Sequence, residues 1–79
     1  MKIELYTKDG CSYCTRAKDL LQHRKMPYTE IPMGGAVNKE LVQQRAGEGA
    51  RVNTVPQIFI DDKHIGGYME LVEYLAKNV

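Results

Sequence analysis

The chain has 79 residues, 43% of them hydrophobic and 27% charged, a composition typical of one soluble domain near the lower size limit for a self-sufficient hydrophobic core. Eleven basic and ten acidic residues leave a formal net charge of +1, which argues against a general attraction to nucleic acid or membrane surfaces. Because Met1 leads directly into a predicted strand, with no export signal or membrane span, we expect a cytoplasmic location.

The first half of the chain predicts a strand, a helix and a second strand. Charged and apolar residues alternate from Lys2 to Tyr6, a pattern typical of a half-buried strand. A helix is predicted from Tyr13 to about Arg24. Its core-facing stripe consists of Cys14, Ala17, Leu20 and Leu21. A second strand is predicted from Tyr28 to Ile31, ended by the Pro- and Gly-containing segment 32–35.

A short helix follows the second strand. Asn38 is placed to cap a helix that runs from Lys39 to about Ala46, and Gly47 is placed to end it. We expect its inward face to carry Leu41, Val42 and Ala46. The segment from Glu48 to Asn53 is predicted to be a polar loop.

The last third of the chain predicts a hairpin and a final helix. The apolar run from Val55 to Ile60 and the short segment His64–Ile65 are separated by the turn residues 61–63. We predict that His64 lies exposed on this hairpin and that neither it nor His23 has a functional role. A helix after Gly67 should bury one face, formed by Tyr68, Leu71, Val72, Leu75 and Val79.

The element order is therefore β-α-β-α-β-β-α. The first two strands should be parallel with a right-handed crossover, and the last two should form an antiparallel hairpin. Helices are available to cover both faces of the sheet. We predict one domain over residues 1–79, of the α/β class, with a small mixed four-stranded sheet flanked by three helices.

The two cysteines form the most informative motif, Cys11-Ser12-Tyr13-Cys14, at the predicted start of the first helix. Free backbone N–H groups and the positive end of the helix dipole favour a thiolate at such a position. Cys11 would lie at the exposed N-cap end, whereas Cys14 would lie about one turn inside on the core-facing side. Redox chemistry of this pair is the favoured interpretation.

Three other interpretations of the cysteine pair are less favoured. A structural disulfide closing so short a loop would contribute only roughly 2 kcal/mol, against ~4–5 kcal/mol for a long loop. A zinc site needs about four ligands, but the only histidines are His23 and His64, far apart in the sequence. A c-type haem motif would need histidine at the position of Thr15.

Three separated motifs together resemble a glutaredoxin of the small bacterial dithiol type. They are the strand–Cys-x-Tyr-Cys–helix unit, the segment Thr54–Asp61, and the segment His64–Tyr68. The resemblance covers nearly the whole chain and implies a thioredoxin-like fold with its active site at one end of the sheet. It also implies a glutathione-dependent thiol–disulfide oxidoreductase, with Cys11 as nucleophile and Cys14 as resolving thiol.

The resemblance further implies where glutathione binds. Lys8 would meet the glycine carboxylate, and Tyr13 would flank the bound sulfur. Thr54 and Val55 would pair with the cysteinyl backbone, and Pro56 would follow a cis peptide bond. The γ-glutamyl carboxylate would dock at the start of the last helix. The residues implied there are Gly67, Tyr68, Met69 and Glu70.

The chain departs from the family pattern in several places. Ser12 stands where proline is commonest between the cysteines, which should loosen the turn and change the redox potential. Met69 stands where relatives often have Ser, Thr or Asp, so one side-chain hydrogen bond to glutathione should be lost, and Glu70 stands where Asp is usual. The loop 48–53 is longer than in most relatives. Because of this loop, we assign no glutathione contact to Gln44 and Arg45 of the predicted second helix.

Two alternative functions stay open at this point. One is a glutaredoxin-like electron carrier reduced by thioredoxin reductase, against which Lys8 and the segment 66–68 argue. The other is a dimer that holds a [2Fe–2S] cluster through the first cysteine and glutathione of each protomer, since some relatives with Cys-Ser-Tyr-Cys do so. Otherwise we expect a monomer without a metal, acting with glutathione on disulfide-containing client proteins such as ribonucleotide reductase.

Overall fold

The computed structural model describes residues 1–77, and its elements follow the predicted order. The strands are β1 (Ile3–Thr7), β2 (Thr29–Pro32), β3 (Gln57–Ile60) and β4 (Lys63–Gly66). The helices are α1 (Ser12–His23), α2 (Lys39–Ala46) and α3 (Tyr68–Lys77). The predicted order of strands and helices is confirmed, and Asn38 and Gly47 flank α2 as its N-cap and C-cap. None of the helices within residues 1–77 has the length and apolar character needed to cross a membrane.

The four strands form one mixed sheet in the order β2-β1-β3-β4. Strand β1 pairs in parallel with β2, as predicted, and antiparallel with β3. Strands β3 and β4 form the predicted antiparallel hairpin, and Asp61 and Asp62 turn it with φ angles of 51° and 67°. Because Tyr6 pairs with Gln57, the end of β1 and the start of β3 lie at the same edge of the sheet.

Apolar side chains cover both faces of this sheet. On one face, Ile3, Leu5, Ile58 and Ile60 belong to the same buried cluster as residues of α1 and α3. The helix residues of this cluster are Ala17, Leu21, Leu71 and Leu75. On the other face, Tyr6 and Phe59 cluster with Val42 of α2. The two-sided helical cover expected from the sequence is confirmed.

Some of the predicted burial is wrong. Leu41 is 42% exposed and Val72 is 37% exposed, so each lies at the solvent side of its helix. Helix α2 instead buries Val42, and Val52 from the loop predicted to be polar is only 4% exposed beside it. Since α2 has eight residues, the loop that follows it supplies part of the cover for this face. Val79, which was predicted to be buried, lies outside the described residues.

Arg45 ties α2 to the sheet. Its guanidinium is hydrogen-bonded to the carboxylate of Glu4, donates to the Tyr6 hydroxyl at 3.1 Å and lies 4.2 Å from the Phe59 ring centroid. A further bond of 3.1 Å reaches Asp62 in the hairpin turn. The hydrogen bond that Arg45 donates to the Glu4 carboxylate raises the pKa of Arg45, against the opposing effect of burial. Arg45 therefore acts as a structural link between α2, β1 and the β3–β4 turn.

Substituting Arg45 by Met should lower the free energy of unfolding by roughly 2–3 kcal/mol, because charged hydrogen bonds are lost. The Glu4 side chain, 15% exposed, would also lose this partner. Urea unfolding of the reduced protein measures the change. Arg24→Met is the matched control, since Arg24 is exposed at the end of α1 and its loss should change stability by less than about 0.5 kcal/mol. Equal losses in the two variants would contradict the role given to Arg45.

Candidate active site

The cysteine pair lies where β1 turns into α1. After β1, Gly10 adopts a φ of 73°, a left-handed conformation that favours glycine, and the chain reaches Cys11 at the N-cap of α1. The Cys14 backbone N–H donates to Cys11 Sγ at 3.0 Å, so a sulfur takes the place of the oxygen usual at an N-cap. Cys11 and Cys14 are disulfide-bonded to each other.

The two sulfurs have unequal surroundings. Cys14 is 2% exposed, whereas Cys11 is half-buried at the rim of the site. The first turn of α1 carries no acidic residue, so the helix places no carboxylate there to oppose a negative sulfur. After reduction, the Cys14 N–H and the helix dipole would favour a thiolate on Cys11 over one on Cys14. Cys11 is thus the sulfur suited to attack an external disulfide.

A second segment of the chain passes directly over Cys11. The carbonyl oxygen of Val55 lies 3.5 Å from Cys11 Sγ. The Val55–Pro56 peptide bond is cis, as the resemblance implied. Segment 54–56 therefore forms one wall beside the reactive sulfur, at the edge of the sheet where β3 begins.

A cavity of about 250 Å³ lies beside this wall. It is lined by residues from α1, from segment 54–56 and from the start of α3. They are Tyr13, Thr54, Val55, Pro56, Gly67, Tyr68, Met69 and Glu70. The structure thus brings together all the residues that the sequence proposed for glutathione except Lys8. Lys8 lines a neighbouring groove, which it shares with Thr54 and Val55.

Two tyrosines form the outer part of the cavity. Tyr13 is 50% exposed, and its ring centroid lies 5.9 Å from that of Tyr68. The guanidinium of Arg16 also lies 5.1 Å from the Tyr13 ring centroid, within cation–π distance. This arrangement limits the directions that Tyr13 can take beside the cysteine motif.

The start of α3 is capped by a residue of its own first turn, Glu70. The Gly67 N–H donates to Glu70 Oε1 at 2.7 Å, the contact that an acidic residue three positions into a helix makes in a capping box. Gly66 has a φ of 124°, and a Cβ atom there would lie 2.8 Å from Glu70 Cγ, so a side chain at Gly66 would displace Glu70. Met69 lies 58% exposed next to this cap. The first N–H groups of a helix have no intrahelical partners, so those of Tyr68 and Met69 can serve an anionic ligand.

A polar groove of about 310 Å³ is lined by both cysteines and by Lys8, and it shares no lining residue with the cavity. It contains Glu30, which accepts from the Thr7 hydroxyl at 2.7 Å and from Lys18 Nζ at 3.1 Å. The hydrogen bond from Thr7, together with that from Lys18, lowers the pKa of Glu30. Sequence reasoning missed this cluster. The sequence contains one signal for it. Lys18 follows Cys14 by four positions, a spacing that places both residues on the same side of a helix and so puts Lys18 near the cysteine motif.

His64 is not exposed as predicted. It is half-buried, its Nε2 lies 2.7 Å from Gln57 Oε1, and its ring centroid lies 5.2 Å from that of Phe59. The prediction failed because β4 pairs His64 with Phe59, which lays the imidazole on the sheet. His23 is exposed at the end of α1. Within residues 1–77, no group of three or more His, Cys, Asp or Glu side chains is placed to hold a metal ion.

Comparison with known proteins identifies a consistent set of relatives. A family model described as glutaredoxin matches residues 3–65. Glutaredoxin 3 of Escherichia coli is 46% identical over 70 residues, covering 87% of this chain and 80% of that protein. The solution structure of reduced E. coli glutaredoxin has a TM-score of 0.80 at 38% identity, covering 99% of this chain and 96% of the other. The superposition confirms the thioredoxin-like fold.

A ligand-bound structure is also similar to this chain. The crystal structure of the buckwheat glutaredoxin–glutathione complex has a TM-score of 0.77 at 29% identity. The aligned region covers 95% of this chain and 68% of the buckwheat chain. That protein binds glutathione on a fold that this chain shares.

Alkylation of the reduced protein should distinguish the two thiols. Iodoacetamide near pH 6 should modify Cys11 at least ~10 times faster than Cys14, because the helix start favours the Cys11 thiolate and Cys14 is 2% exposed. Peptide mass spectrometry after short exposures measures both rates. Cys11→Ser is the control and should take up reagent slowly. Faster modification of Cys14 in the parent protein would reverse the assignment of the two sulfurs.

Proposed function

Because this chain belongs to the glutaredoxin family and is a thiol–disulfide oxidoreductase, we propose that glutathione is the reductant that restores its Cys11–Cys14 dithiol. We propose cytoplasmic proteins with disulfides or bound glutathione as its substrates, ribonucleotide reductase among them. The cavity formed by Tyr13, segment 54–56 and the start of α3 carries this proposal, since it is lined by all the residues to which the family resemblance assigns glutathione except Lys8.

The reaction proceeds by two exchanges of sulfur partners. The Cys11 thiolate attacks one sulfur of a client disulfide, the client S–S bond breaks, and the departing client thiolate takes a proton from solvent. Cys14 then loses its proton and attacks Cys11 Sγ, which releases the second client thiol and leaves the Cys11–Cys14 disulfide. This second step is intramolecular, because Cys11 at the N-cap and Cys14 in the first turn of α1 are only three positions apart.

Two glutathione molecules complete the cycle. The first thiolate attacks Cys11 Sγ, which gives a Cys11–glutathione disulfide and frees Cys14. The second attacks the sulfur of the bound glutathione, so oxidised glutathione leaves and Cys11 departs as a thiolate. A stabilised thiolate is a weaker nucleophile but a better leaving group. The hydrogen bond from the Cys14 N–H to Cys11 Sγ therefore benefits this last step most.

The cavity offers complementary groups for each part of glutathione. Lys8 supplies a positive charge for the glycine carboxylate, next to Val55 in the neighbouring groove. The backbone of Val55 is available to pair with the cysteinyl unit beside Cys11. The first N–H groups of α3 can bind the γ-glutamyl carboxylate. In this arrangement Glu70 caps Gly67 and leaves the N–H of Met69 for the ligand.

The coupled disulfide reductase assay tests this function directly. NADPH oxidation through glutathione reductase should depend on both glutathione and the protein. Cys11→Ser should reduce the rate to background, because it removes the nucleophile. Turnover with thioredoxin reductase, but not with glutathione, would replace the proposal by the electron-carrier alternative.

Cys14→Ser should separate two activities. Removal of glutathione from mixed disulfides needs only Cys11 and a second glutathione, so this activity should stay within about threefold of the parent. Reduction of protein disulfides should fall by more than about tenfold, because a neighbouring thiol has a far higher effective concentration than dissolved glutathione. Both rates are measured on the same preparations. An equal loss of both activities would show that Cys14 also activates Cys11.

Met69→Thr should tighten glutathione binding by about one neutral hydrogen bond, roughly 0.5–1.5 kcal/mol. The reason is that Met69 lines the cavity next to the start of α3 without offering a hydroxyl or carboxylate. Calorimetry on the Cys11→Ser background measures binding without reaction. Val72→Thr is the matched control, because Val72 is exposed on α3 but is not among the cavity residues. An unchanged affinity in Met69→Thr would show that Met69 does not border the bound glutathione.

A further inference from the structure

We propose that His64 is a positioning residue for segment 54–56, acting through the buried side chain of Gln57. The proposal rests on the glutathione function given above, because segment 54–56 is the wall that would pair with the ligand. Three groups in series make the link: the imidazole of His64, the amide of Gln57 and the carbonyl of Thr54.

Gln57 is the central member of this series. It is the first residue of β3 and is 2% exposed, so its amide cannot rely on water for hydrogen bonds. Its Nε2 donates to the Thr54 carbonyl at 2.8 Å. A carbonyl oxygen only accepts, so the amide cannot be turned over without placing two acceptors against each other. The orientation of the Gln57 amide is thereby fixed.

The orientation of the Gln57 amide determines which ring nitrogen of His64 carries a hydrogen. Gln57 Oε1 accepts at 2.7 Å from His64 Nε2, so Nε2 must carry a hydrogen. Burial lowers the pKa of His64, while the nearby Glu70 opposes the shift. The neutral ring with hydrogen on Nε2 donates to Gln57, and so does the protonated ring. The link therefore persists across the titration of His64.

Other elements fix the ring in place. Phe59, its partner in the β3–β4 ladder, lies 5.2 Å away between ring centroids at an interplanar angle of 53°. Charged residues line the two grooves to which His64 contributes. They are Arg51 from the loop before β3, and Glu70, Glu73 and Lys77 from α3. His64 is thus held by the sheet and presents one donor to Gln57.

Losing that donor has a consequence at Cys11. Gln57 Oε1 would be left buried without a hydrogen-bond donor, which raises the free energy of the folded protein. The amide would then turn or shift until Oε1 finds another donor. The Thr54 carbonyl would then lose its donor. Thr54 directly precedes Val55, whose carbonyl lies 3.5 Å from Cys11 Sγ. A small displacement of segment 54–56 should therefore weaken the binding of glutathione, while the reactivity of the cysteines should change little.

The kinetic test compares three histidine variants in the glutathione-coupled assay. His64→Phe should raise KM for glutathione about 3–10-fold, the equivalent of one neutral hydrogen bond, with kcat within about twofold. His64→Gln, whose amide nitrogen can donate to Gln57, should recover most of this loss. His23→Phe, at the exposed histidine, should match the parent. An unchanged KM in His64→Phe, even with a lower melting temperature, would overturn the proposal and leave His64 a structural residue.

A double-variant cycle tests whether His64 acts through Gln57. Gln57→Met keeps the length of the side chain and removes both hydrogen bonds, so it should raise KM as His64→Phe does. Combining the two should add nothing further. Additive increases in KM would show that His64 acts by another route and would overturn the link.

A measurement without glutathione keeps this inference separate from the proposed function. In ¹H–¹⁵N spectra, His64→Phe should shift the amide resonances of Thr54 and Val55, while His23→Phe should leave them in place. If the parent does not turn over glutathione, the proposed function fails, yet shifted resonances would still support positioning by His64. Unshifted resonances at both residues would overturn it.

Discussion

The hydrogen bond from the Cys14 amide to Cys11 Sγ, 3.0 Å long, is the interaction on which the chemistry of this protein depends. It exists because Cys11 stands at the N-cap of α1, where the backbone leaves N–H groups without intrahelical partners. The same geometry places Cys14 one turn inside the helix, 2% exposed. One helix start therefore provides both an accessible, stabilised sulfur and a sheltered second sulfur within reach of it.

The sheet brings the remaining parts of the site to this helix start. Strand β1 ends, β3 begins and β4 ends at the same edge, because β3 runs antiparallel to both of its neighbours. Segment 54–56 and the first turn of α3 are attached to these strand ends and line one cavity together with Tyr13 of the cysteine motif. The cavity is thus a consequence of strand direction, and the His64–Gln57 pair is linked to segment 54–56 through the Thr54 carbonyl.

Local patterns predicted the elements, and the family motifs predicted the members of the cavity. The sequence predicted the Cys11 position and the Asn38 cap because capping depends on residues within one turn. Burial of Val52, exposure of Leu41 and the packing of His64 depend on which strands and loops lie opposite, and no spacing rule supplies that information. The Glu30 cluster was missed for the same reason, since Thr7 and Lys18 reach it from different elements.

The most direct test is to observe glutathione on the protein. Cys14→Ser can be trapped as a mixed disulfide between Cys11 and glutathione, and nuclear Overhauser contacts then show where the tripeptide lies. We expect contacts from glutathione to Val55, Tyr68 and Met69, which line the cavity. Contacts confined to Thr15 and Lys18, in the polar groove that contains Glu30, would contradict it.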